Sequence, residues 1–114
     1  FFLPRLVGSV RAFELSTMGS KVTAKQALEW GMINRCVPAE QLDEETVKIV
    51  EYYANAPTKA IGLMKKMLNK SFNSDLETML EYEAYCQEIA GSSYDNKEGV
   101  AAFNEKRKPQ FKGQ

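Results

Sequence analysis

The 114-residue sequence predicts an all-α fold with at most one very short strand, near residues 32–37. Three observations lead there. Apolar side chains recur at the spacing of one helix face over most of the chain. Capping residues, glycines and prolines punctuate it at short intervals, as helix starts and stops do. The stretch Met32–Val37 is the one segment that reads as a strand, and Pro38 ends it.

Taken in order, Pro4 suits a first helical turn and Gly8 interrupts that opening segment. Ser9 is a candidate N-cap for a helix to about Met18, with Gly19 at its exit. Thr23 to Gln26 reads as a capping box, opening a short helix that carries Ala27, Leu28 and Trp30 and stops at Gly31. From Glu40 to Asn55, Leu42, Thr46, Ile49, Val50 and Tyr53 share one helical face. Asp43, Glu44 and Glu45 crowd its first turn, where the dipole favours negative charge. After Pro57 the period returns with Ala60, Ile61, Met64, Met67, Leu68 and Phe72. Gly62 inside this pattern suggests close packing. Ser74–Glu77 is read as another box, opening a helix to about Ala90 that Gly91 ends. Asp95 to Glu98 is read as the cap of a last helix running to about Lys108, stopped by Pro109. The result is six or seven helices in a single helical domain spanning 1–114.

Composition narrows the function. At 44% apolar and 26% charged the chain is of globular type, able to bury about 65% of its unfolded surface. Fifteen basic residues balance fifteen acidic ones, which disfavours a nucleic-acid partner recruited by a global field. No apolar run reaches the ~20 residues that span a bilayer, so no membrane partner is expected. The absence of histidine excludes a Ser-His-Asp triad, a Cys-His pair and a histidine metal site. Cys36 and Cys86 form no CxxC and are expected to be free, buried thiols in a reducing, cytoplasmic compartment. The start at Phe1-Phe2-Leu3 carries no signal peptide and fits a piece of a longer protein.

Catalytic constellations are hard to find. The seven glycines are scattered, with Gly8, Gly19, Gly31, Gly91 and Gly99 at or near expected helix ends. No glycine cluster is available for a phosphate cradle or an oxyanion hole. Glu81 and Glu83 do not share a helix face, and Glu44 and Glu45 sit in a first turn. These acids read as solvated or dipole partners, and Glu98 as a cap. The closing run Phe103-Asn104-Glu105-Lys106-Arg107-Lys108 has two readings. Its cations suit the negative end of a helix dipole. They also suit phosphate, with Phe103 as a stacking surface for a base.

Several segments together resemble the crotonase (enoyl-CoA hydratase/isomerase) superfamily. They are Leu3-Pro4-Arg5-Leu6-Val7-Gly8, the stretch from Thr23 to Pro38, Pro57-Thr58-Lys59-Ala60, and Glu98-Gly99-Val100-Ala101-Ala102-Phe103-Asn104-Glu105-Lys106-Arg107. Their order and spacing cover essentially the whole chain. The resemblance implies the helical C-terminal part of a crotonase-like fold. The family's ββα spiral, with its oxyanion hole and acid/base carboxylates, would lie before Phe1. It implies an acyl-CoA enzyme, hydratase or isomerase, in which this part supplies trimer or hexamer contacts and part of the coenzyme A site. By the same resemblance Lys106 is the cofactor-binding residue for a CoA phosphate, and Phe103 lies near the adenine. Gln87 stands where some members carry an aromatic, so that contact is not carried over. No catalytic residue and no metal ligand are assigned. No tightly bound cofactor is expected, the coenzyme A thioester being the substrate of the whole enzyme. The chain alone is expected to show no turnover. The competing reading is a non-enzymatic helical self-association module, with Leu42, Ile49, Met64, Met67, Leu76, Met79 and Leu80 covering partner copies or forming an internal core. A small helical acyl-CoA carrier is the weakest reading, because the cations gather at one terminus.

Overall fold

Seven α-helices and one 3₁₀ turn make up the computed structural model, which describes residues 1–114. By packing, the chain divides into two compact units, Phe1–Asp43 and Glu44–Gln114.

In the first unit, α1 (Leu3–Val7) and α2 (Ser9–Met18) pack against each other about Gly8, whose φ of 81° few side chains would tolerate. Gly8 is the N-cap of α2, so Ser9 is the first helical residue and not the cap. Ala12 is buried in this unit. α3 (Ala24–Glu29) starts with the expected box: Thr23 Oγ1 accepts from the Gln26 N–H, and Gln26 Oε1 accepts from the Thr23 N–H. It ends in a Schellman turn. Gly31 lies at φ 72°, and the Met32 N–H reaches back to the Ala27 carbonyl. The Arg11 guanidinium stacks 4.5 Å over the Trp30 ring. Residues 32–37 form no strand. In an otherwise helical chain there is no sheet edge to accept their ladder bonds.

A 3₁₀ turn, Ala39–Gln41, leads into α4 (Leu42–Ala54). On α4, Lys48 pairs with both Glu44 and Glu45, which hold its ammonium above its ordinary pKa. In the second unit, α5 (Thr58–Ser71) packs on α6 (Leu76–Gly91), and α6 on α7 (Tyr94–Asn104). Two caps differ from expectation. Asp75 caps α6 by accepting from the Thr78 N–H, so Ser74 lies outside the helix. Ser93 caps α7, accepting from the Asn96 N–H and donating to the Ala90 carbonyl. Asp95 is therefore in the first turn of α7. Gly62 packs against nothing, since a Cβ there would meet open space, and Gly99 is inside α7 rather than at an end.

The apolar stripes do not form an internal core. The buried apolar residues are Ala12, Ala56, Cys86 and Ala102. Leu42, Ile49, Met64, Leu76 and Leu80 are exposed, and Met67 and Met79 are half-buried. Accessible surface is 9150 Å². The unfolded chain would expose about 18,700 Å², so folding covers about half of it, not ~65%. Even two fully separate globules of about 4.9 and 8.0 kDa would together expose only about 7,600 Å². The chain thus shows more surface than units of this size normally leave in water, and many large apolar side chains are on it.

Candidate functional site

The Phe103–Lys108 run lies where α7 gives way to the closing segment 105–114. The helix stops at Asn104, four residues short of the expected end. It stops because Lys106 turns into the left-handed region, at φ 53°. The Arg107 N–H then donates to the Ala102 carbonyl, and the Lys106 N–H to the Phe103 carbonyl. This is again a Schellman turn, with lysine where glycine is usual. A non-glycine residue there carries strain of about 1 kcal/mol or more. Periodicity alone could not reveal this stop.

The basic run is not a uniform patch. Arg107 forks onto Glu98, with Nη1 donating to Oε1 at 2.6 Å and Nη2 to Oε2 at 3.0 Å. Its Nε donates to Glu105 Oε2 at 2.6 Å. Glu98 Oε1 also accepts the Gln110 backbone N–H at 2.7 Å. The Arg107 fork, aided by that N–H, holds the Glu98 carboxyl down to about 2. The two carboxylates in turn raise the Arg107 guanidinium above its ordinary value. Lys112 stacks 4.4 Å over the Tyr94 ring. Lys106 is exposed, and its ammonium enters no ion pair. It remains available to an anion.

Phe103, in the last turn of α7, is 84% exposed. It borders a groove of about 390 Å³ whose apolar wall includes Pro57, Ala60, Val100 and Phe111. The Phe111 ring lies over Gly99, close enough that a Cβ there would sit 3.6 Å from Phe111 Cε1, an ordinary packing contact. The closing segment is held by a second carboxylate. Asp95, buried to 3% exposure, accepts from the Lys112 N–H at 2.6 Å and the Gly113 N–H at 2.8 Å. Its own N–H donates to the Gln114 carbonyl.

Sequence reasoning singled out Phe103 and Lys106, and both stand at this end of α7 with Phe103 on the groove. It missed Asp95 as a clamp, and it took Glu98 for a cap. The Asp-x-x-Glu spacing is common to both roles, and nothing local marks a partner nine or more residues away. Cys86 is buried as expected, whereas Cys36 is exposed; both are free thiols. No helix is long and apolar enough to cross a membrane.

Comparison with known proteins gives a consistent result. The family model described as enoyl-CoA hydratase/isomerase matches residues 1–114. The chain is 41% identical over 113 residues to 1,2-epoxyphenylacetyl-CoA isomerase of Escherichia coli K12, covering 99% of this chain and 43% of that protein. It is 33% identical over 109 residues to crotonyl-CoA hydratase of Syntrophomonas wolfei, covering 96% and 42% respectively. The crystal structure of enoyl-CoA hydratase from Bacillus anthracis superposes with a TM-score of 0.89 at 37% identity, over 98% of this chain and 43% of that one. The chain thus spans less than half the length of the curated relatives it matches. Matched along its full length in sequence, and in fold over nearly all of it, this chain belongs to the enoyl-CoA hydratase/isomerase family.

Proposed function

We propose that this chain serves as the helical C-terminal part of an acyl-CoA hydratase or isomerase, and that Lys106 there contacts a phosphate of the coenzyme A moiety. The observation that carries the reading is the strained Lys106 cap, with its unpaired ammonium three residues from the exposed Phe103. An ammonium offers phosphate a compact charge with three donors. The Phe103 face offers an adenine a stacking surface. The relatives named for CoA thioesters support the substrate class.

The exposed stripes of α4, α5 and α6 support a second role in the same protein. They supply surface for burial against the rest of the enzyme and against further copies in a trimer or hexamer. Neither an oxyanion hole nor an acid/base carboxylate is assigned to this chain, so it has no turnover by itself. Free thiols fit a reducing, cytoplasmic setting.

The test is Lys106→Ala in the whole enzyme that carries this chain. A lost charge-assisted contact to phosphate would raise KM for acyl-CoA by roughly ten-fold, and raised salt would narrow the difference from wild type. An unchanged KM at low salt would refute the phosphate role.

A further inference from the structure

The strained residue and the ion-pair network beside it share a purpose. Glycine is the unstrained choice at a Schellman turn, yet lysine occupies it. The residues flanking Lys106 are tied to each other across it, since Arg107 Nε donates to Glu105 Oε2. Arg107 is also anchored two turns back on α7 by its two-pronged bond to Glu98, whose side chain is only 11% exposed. Glu98 holds the far side of the turn as well, through the Gln110 N–H. One carboxylate thus holds the chain after Lys106 at two points, the Arg107 side chain and the Gln110 backbone. With both flanks held, the left-handed backbone is over-determined, and the Cα–Cβ bond from which the lysine stem starts keeps one direction.

We infer that Glu98 and Arg107 are positioning residues, which hold Lys106 in its left-handed conformation and so set where its ammonium meets the phosphate of acyl-CoA. The inference rests on the reading of Lys106 given above. Neither residue touches the ligand. Arg107, with its charge already spent on Glu98 and Glu105, acts through geometry rather than as a second phosphate ligand.

The test compares two substrates of the whole enzyme: an acyl-CoA, and the matching acyl-pantetheine thioester, which lacks the nucleotide and its phosphates. Glu98→Gln keeps the shape but weakens the fork. It should raise KM for acyl-CoA by roughly three- to ten-fold. With the pantetheine thioester the KM should not move. In a Lys106→Ala background, Glu98→Gln should add nothing to KM for acyl-CoA, because the group it positions is gone. Arg107→Lys, which keeps the charge and loses the fork, should behave like Glu98→Gln and decides the matter if that variant does not fold. A KM raised equally for both thioesters would make the network merely structural and overturn the inference. So would additivity with Lys106→Ala. If Lys106→Ala raises KM for acyl-CoA while Glu98→Gln and Arg107→Lys do not, the positioning role alone falls. If Lys106→Ala itself has no effect, the phosphate reading falls first.

Discussion

Replacing Asp95 by alanine should release the closing segment from α7. The carboxylate is buried and takes two backbone N–H groups, from Lys112 and Gly113, at 2.6 and 2.8 Å. Hydrogen bonds to a charged group contribute about 1.5–3 kcal/mol each, so two retained in place would give about 3–6 kcal/mol. The segment need not stay in place, however. Once it peels away, water satisfies both donors, and the loss is limited to what opening it costs. Glu98 still holds Gln110, and the Phe111 ring still covers Gly99. The expected loss is therefore about 2–4 kcal/mol of local stability. Amide hydrogen exchange at Lys112 and Gly113 in the whole protein reads this directly. Protection there should fall by about 30- to 700-fold, one decade per ~1.4 kcal/mol, while amides in the middle of α6 stay protected. Asp95→Asn keeps one acceptor and should lose about half as much free energy. Unchanged protection of these two amides in Asp95→Ala would refute the clamp.

Gly113→Ala should destabilise by about 1–3 kcal/mol, because φ is 74° and the new Cβ would collide with the Thr58 hydroxyl. Thr58→Ala in the same chain should restore the steric part only; denaturant midpoints of the four proteins measure the split. Glu98, held at about 2 against an ordinary 4.5, stabilises the native state fully above pH 4.5 and loses that contribution as pH falls toward 2. The Gln110 amide resonance should therefore titrate near pH 2, and a midpoint near 4.5 would show the carboxylate unbound. The isolated chain, with Val50, Leu68 and Leu76 all at least 60% exposed, should self-associate at tens of micromolar and bind a hydrophobic dye. A strictly monomeric, dye-silent species in sedimentation would contradict the exposed stripes.

Local signals carried the fold further than the site. The Thr23–Gln26 box and the Gly31 stop were legible because each is complete within four or five residues. Ser93 and Asp95 are both good caps two positions apart, and sequence favoured the wrong one. Asp95 is used instead by N–H groups 17 and 18 residues away, which no spacing rule reaches. The end of α7 was misplaced for a related reason. A lysine at φ 53° has no compositional mark, and the fork to Glu98 that ties the chain just past it joins residues nine apart. Amphipathic spacing showed that α4, α5 and α6 have apolar faces, but period reports a face and not its cover. Of the four buried apolar residues only Cys86 lies on these three helices.

Those uncovered faces also set terms for anyone wishing to alter the chain. Leu68 and Leu76 are the kind of surface leucines an engineer replaces first to make a protein behave in solution. Lysine or glutamate at either place would improve the handling of the separate chain. Under the assembly proposed above, the same exchange would put an unpaired charge into the seam those side chains fill. Solubility of the part and integrity of the whole pull these positions in opposite directions, and a screen rewarding one would select against the other.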